Sequence, residues 1–191
     1  MDRRTLLRFL TLAPLAAAPL GAVAQRKITM SDVKNMEANW KTLLAPGTQV
    51  PTAAEPLKLS KDEWKKRLQG LAYDVLREEG TERAGTSPLD REKRAGVFAC
   101  AGCGLPVFTS EMKYDSGTGW PSFFTTIPGV FETKTDYKIL YPRTEYHCKR
   151  CGGHHGHVFD DGPEPTGKRY CNNGVALAFV PRGEPLPALR T

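Results

Sequence analysis

Three of the five cysteines and all four histidines of this 191-residue chain lie within residues 147–174, HCKRCGGHHGHVFDDGPEPTGKRYCNNG. Thiols act as nucleophiles and metal ligands, and imidazoles carry protons near neutral pH, so one short span holds the parts of a reactive site. The span offers little apolar surface, and its composition answers to chemistry rather than to core packing. Two Cys-x-x-Cys pairs organise the cysteines: Cys100-Ala101-Gly102-Cys103 and Cys148-Lys149-Arg150-Cys151, followed by Gly104 and Gly152 respectively. Knuckles of this kind bring two thiolates to one Zn²⁺, and two of them complete a tetrahedral four-cysteine site. The 44 residues between the pairs exceed ordinary finger spacing, so the metal is expected to staple distant strands. A Cys-x-x-Cys pair also serves as a dithiol redox centre, and an exported chain can form disulfides. Two glycine-terminated knuckles favour zinc over both, in a closed structural site without a catalytic coordination position.

Cys171 is then left over. Free cysteine is commonly a small buried hydrophobe. Here it follows Lys168, Arg169 and Tyr170 and precedes Asn172 and Asn173, cations and amides that stabilise a thiolate, which predicts a lowered pKa and a nucleophile. His154, His155 and His157 lie 17 to 14 residues upstream. On a strand, His155 and His157 share one face, and imidazoles beside a spare thiol point to Cys/His catalysis. Residues 116–123, SGTGWPSF, read as a tight turn that sets Trp120 as an aromatic wall, although a tryptophan is as readily a core residue.

The elements that must hold these residues follow from patterning. Residues 1–24 combine a basic start, an apolar run broken by Arg8, Pro14 and Pro19, and the small triplet Ala22-Val23-Ala24, the pattern of a cleavable export signal. Arg3-Arg4 gives it a twin-arginine character, and the breaks argue against a spanning anchor. Its removal takes the net charge from +6 to +4. The remaining Lys and Arg are scattered rather than gathered into an aromatic-interleaved stripe, so neither a nucleic-acid partner nor stable membrane insertion is expected. Residues 25–57 read as an extension, with a helix capped by Ser31 and an extended Pro46, Pro51 and Pro56 linker over 45–58. The Ser60/Glu63 capping box starts one or two short helices carrying Trp64, Leu68, Leu71, Val75 and Leu76. From residue 96 the pattern turns to short runs at 96–100, 130–133, 138–141 and 175–180, bounded by Gly, Pro or Asp, which predict antiparallel strands. Residues 183–191 read as an irregular tail.

Taken in order, Cys100 to Gly104, residues 116–123, residues 148–161 and residues 169–173 resemble the methionine-R-sulfoxide reductases of the MsrB type. With their connections these segments cover a catalytic domain over residues 58–182. The resemblance implies a mainly β (α+β) fold of two antiparallel sheets with short N-terminal helices, and one structural zinc on Cys100, Cys103, Cys148 and Cys151. It also implies catalysis by Cys171 with His154, His157 and Asn173, a methyl-receiving wall at Trp120, and supporting roles for Asp161 and Arg169. The substrate would be methionine-R-sulfoxide in oxidised proteins, handled by a monomeric, exported enzyme, periplasmic in a Gram-negative host. Many family members carry a resolving cysteine where this chain has Thr118, so a thioredoxin-like protein or small thiol is expected to reduce the Cys171 sulfenic acid directly. Asn172, Gly174 and His155 also depart, standing where the family more often has an apolar residue, serine and leucine. A zinc-ribbon interaction module and an exported thiol–disulfide oxidoreductase are the competing readings; the first leaves Cys171, Trp120 and the histidines without a task, and the second needs a redox-active Cys-x-x-Cys pair.

Overall fold

The computed structural model describes residues 27–53 and 55–187. The expected signal over residues 1–24 and the last residues of the tail lie outside them. Helix α1 spans Met30–Asn39, and its cap is Thr29 rather than Ser31. A capping box needs an acid three residues on: Asp32 answers Thr29, whereas Ser31 would face Lys34. The Ser60/Glu63 box forms as expected and opens α2, Lys61–Arg67. Gly70, at φ 51°, then breaks the apolar stripe, so Leu71 begins a second helix, α3, Leu71–Glu78. No helix among the described residues is long and apolar enough to cross a membrane.

Nine strands follow among the described residues, all paired antiparallel. They are β1 Gly96–Cys100, β2 Pro106–Thr109, β3 Lys113–Tyr114, β4 Ser122–Phe123, β5 Phe131–Asp136, β6 Arg143–Cys148, β7 His154–Phe159, β8 Arg169–Asn172 and β9 Leu177–Pro181. They form a three-stranded sheet, β2-β1-β9, and a six-stranded sheet, β3-β4-β8-β7-β6-β5. The two-sheet, mainly β fold therefore stands. Phe98, Phe108, Phe123 and Tyr146 are buried together, with Phe108 stacked on Phe123 at 3.9 Å between centroids. Burial of such rings is worth about 2 kcal/mol each and holds the layers together.

Two expected strands are corrected. Residues 138–141 form no strand: Asp136 caps the turn by accepting from the Lys138 N–H at 2.8 Å, and the strand begins only at Arg143. β-Favouring side chains at 139–141 have no facing strand on which to pack. Residues 174–176 form a 3-10 turn before β9, because Glu82 accepts from the Gly174 and Val175 N–H groups that a strand would spend on a neighbour. The described residues of 45–58 contain no helix, but they are bound to the domain: Leu57 N–H donates to Arg150 O at 2.7 Å, and Pro51 is buried. The tail segment near Leu186 packs with Leu43, Leu44 and Val97.

Candidate active site and metal centre

One row crosses the six-stranded sheet. Lys134, Glu145, His157, Cys171 and Ser122 are successive cross-strand partners on β5, β6, β7, β8 and β4. Directly opposed residues project to the same face, so His157 and Ser122 flank the Cys171 thiol. The thiol faces a pocket of about 290 Å³ whose lining includes Trp120, Thr118, His157, Arg169, Asn173 and Arg143. Trp120 is half-buried and donates from its indole Nε1 to Glu82 O at 3.1 Å, which makes it a wall rather than core.

A β-bulge between β6 and β7 overturns the expected pairing of His155 with His157. One extra residue in β7 shifts the alternation, so His154 and His157 share a face, their rings 5.5 Å apart, while His155 turns into the core against Phe131 and Tyr146. His154 Nδ1 lies 2.8 Å from Glu145 Oε1, and His157 Nε2 lies 2.8 Å from Asp136 Oδ2. Burial lowers the pKa of both histidines, with the carboxylates opposing it. His154 does not line the pocket; it reaches it through the His157 ring.

The Cys171 thiol also corrects an expectation. Burial raises its pKa above the ordinary thiol value, outweighing Arg169 and the Thr118 hydroxyl, which both act in the opposite direction. Arg169 is held in place by bidentate bonds to Asp161, both at 2.8 Å, and packs 4.3 Å over Phe159. Asp161 is thus a clamp on Arg169 outside the pocket lining. Asn173 has both polar atoms engaged: Oδ1 accepts from Glu82 N–H at 2.9 Å, and Nδ2 donates to His155 O at 3.0 Å. Thr118 is linked through Ser116 to Ser122 by hydroxyl contacts of 2.8 and 2.7 Å.

Sequence reasoning missed Glu82, Asp136, Glu145 and Arg143. Glu82 is buried, and between its carboxylate and its backbone it ties Trp120, Asn173, Gly174 and Val175 together. None of the four stands in a motif; only the strand register brings the acids to the histidines.

The four paired cysteines form a separate centre. All four Sγ atoms lie within 4.8 Å of one another, with Cys100 and Cys151 at 3.7 Å and Cys103 and Cys148 at 3.6 Å. A tetrahedral Zn–S bond of about 2.3 Å requires sulfur pairs about 3.8 Å apart, so the cluster fits a metal ion. Each knuckle closes through a glycine at positive φ: Gly104 N–H donates to Cys100 O at 2.8 Å, and Gly152 N–H to Cys148 O at 2.7 Å. Cys171 belongs to the pocket and not to this cluster.

The SelR domain family matches residues 68–181, more than half of the chain and all of the site just described. The chain belongs to the SelR domain family. Similar proteins carry related names. A peptide methionine sulfoxide reductase MsrB of Methanosarcina barkeri is 48% identical over 128 residues, covering 66% of this chain and 90% of that protein. The chloroplastic peptide methionine sulfoxide reductase B1 of Arabidopsis thaliana is 52% identical over 120 residues, 62% of this chain and 59% of its own length. The mitochondrial methionine-R-sulfoxide reductase B3 of Mus musculus is 46% identical over 123 residues, 64% of this chain and 49% of its own.

Within this SelR domain His155, Asn172 and Gly174 each have a structural setting. His155 Nδ1 meets Asn172 Oδ1 at 3.1 Å, and the Tyr146 hydroxyl donates to the same oxygen at 2.8 Å, so the two polar departures bond each other in the core, while His155 Nε2 has no hydrogen-bond partner among the described residues. A Cβ at Gly174 would stand 1.8 Å from Ser87 Oγ: the Ser87 hydroxyl already fills the space a larger residue would need.

Proposed function

We propose that the chain reduces methionine-R-sulfoxide in oxidised proteins to methionine, with Cys171 as the nucleophile. The observation that carries this reading is the pocket itself: a thiol paired across the sheet with a histidine, walled by Trp120 and separate from the cysteine cluster. The names of the SelR relatives support the same substrate. With the thiol pKa raised and the His157 pKa lowered, the resting pair is thiol and neutral imidazole. In our reading the sulfur of Cys171 attacks the sulfoxide sulfur while the thiol proton passes through His157 to the sulfoxide oxygen. The S–O bond of the substrate then breaks as its oxygen passes, as hydroxyl, to the Cys171 sulfur, and the transient bond between the two sulfurs breaks with it; methionine leaves as the two-electron-reduced thioether, and Cys171 is oxidised to a sulfenic acid with no net proton change. His154 and the acids Glu145 and Asp136 support the transient imidazolium, Asn173 and Arg169 shape the mouth, and Trp120 receives the methyl group. A chiral sulfoxide presents oxygen and methyl to fixed partners, which selects the R epimer.

One zinc on Cys100, Cys103, Cys148 and Cys151 is the structural cofactor in this reading, and when bound it cross-links the two knuckles. No thiol beyond Cys171 then remains among the five, and Thr118 replaces a resolving cysteine, so a thioredoxin-like or small external thiol returns the sulfenic acid to thiol, with loss of water. We also infer a monomer and, from the composition of residues 1–24, export to the periplasm in a Gram-negative host. The test is an epimer-resolved assay on secreted protein whose N-terminus has been sequenced. Cys171→Ala is expected to abolish reduction of methionine-R-sulfoxide while about one zinc per chain is retained. Activity surviving that change, or export without cleavage near Ala24, would reject the corresponding reading.

A further inference from the structure

Four of the six large apolar side chains that stand exposed among the described residues share one turn: Tyr137, Ile139, Leu140 and Tyr141, exposed by 76, 49, 95 and 73%. The turn joins β5 to β6, and both its ends are active-site residues. Asp136 holds His157, Arg143 lines the pocket, and the two bond each other at 2.6 Å. With six residues in the turn, its tip stands no more than about 10 Å beyond the Asp136–Arg143 pair, at roughly 3.3 Å per residue out and back. Lys138 is tied to Glu79 at 2.5 Å, which pins the turn to the end of α3. Its charge and that of Arg143 are matched by Glu79 and Asp136, so the rim presents apolar area beside balanced charges. A cluster of exposed apolar side chains next to a pocket marks an interaction surface.

We propose that this turn is a docking rim for the polypeptide on either side of an oxidised methionine, gripping apolar side chains two to four residues from the sulfoxide. The proposal rests on the reductase reading of the pocket. That pocket, about 290 Å³, is sized for a single side chain, so the rest of a protein substrate must lie across its mouth. An extended strand carries the third residue from the sulfoxide about 10 Å away, the same reach as the turn. Methionine is a core residue whose neighbours are commonly apolar, and such segments become available once a protein is damaged or unfolded. The rim thus turns the chain toward unfolded, apolar-flanked substrates.

The test compares three R-sulfoxide substrates on the full chain: N-acetylmethionine sulfoxide amide, a peptide with Leu, Val and Phe around the sulfoxide, and a peptide of equal length with Ser, Gly and Asn there. Leu140→Ser is one variant, and Tyr137→Ser/Leu140→Ser/Tyr141→Ser the second; all three side chains are exposed. For the triple variant, KM for the apolar peptide is expected to rise about tenfold with kcat held. KM for the polar peptide, the small substrate and the reductant should stay within about twofold. An unchanged KM for the apolar peptide, or an equal rise for both peptides, overturns the proposal. A rise confined to a thioredoxin-like donor also overturns it, by assigning the turn to the reductant. Wild-type chain inactive on all three substrates would reject the reductase reading and the rim with it, whereas activity without flank preference rejects the rim alone.

Discussion

A half-buried thiol facing a neutral imidazole behaves differently from the low-pKa thiolate that the neighbouring lysine and arginine suggest. Burial outweighs Arg169 at Cys171, and the guanidinium acts only to limit the rise in its pKa. Arg169→Ala removes the cation without opening a metal ligand, so the thiol pKa should climb further. The alkylation rate of Cys171 by iodoacetamide at pH 7 is then expected to fall several-fold, since each unit is a factor of ten in thiolate. Its pH profile should shift to higher pH, a displacement that a loss of packing against Phe159 would not produce. An unshifted profile would remove Arg169 from the electrostatics of the thiol. Cys171 was legible because the other four cysteines pair off by spacing; Glu82 was not, because a lone acid after Gly80 has no partner in the sequence.

Strand β7 shows how an element decides which side chains can act. Period-two alternation assigns His155 and His157 to one face, and the single bulge opposite His147 exchanges His155 for His154. The displaced His155 is fully buried with Asn172 and Tyr146, and burial pushes its pKa down to about 4. Asn172→Val should cost about 2 kcal/mol by stranding the His155 and Tyr146 donors. Adding His155→Leu should cost less than the two changes summed, with about 1 kcal/mol of coupling measurable by denaturant unfolding. The same histidine gives a pH signature. Its folded pKa lies below the unfolded value of about 6.5, so its contribution is complete above that pH and is lost as pH falls toward 4, by roughly 3 kcal/mol. His155→Leu is expected to flatten stability over that window; an unchanged slope would show that another group carries it.

At the scale of the molecule, the cysteine cluster joins distant parts of the chain. Cys100 and Cys103 sit at the end of β1 and in the turn after it, Cys148 and Cys151 at the end of β6 and in the turn before β7, so one ion would link the three-stranded sheet to the six-stranded one. Removing it with a strong chelator, or by Cys103→Ser, is expected to lower Tm by about 10 °C or more in a thermal melt. A melt unchanged by chelation would leave the cluster without a structural metal. The sequence by itself determined the residues whose spacing is local: the two Cys-x-x-Cys knuckles, the Ser60/Glu63 cap, and Cys171 as the cysteine outside the pairs. Short-range geometry is enough to specify each of these. Only the tertiary structure decided what depends on register: the bulge that chose His154 over His155, the acids Asp136 and Glu145 behind the histidines, Glu82 tying Trp120 to Asn173, and the sign of the shift at Cys171. Burial and cross-strand pairing join residues far apart in the chain, and no local pattern records them.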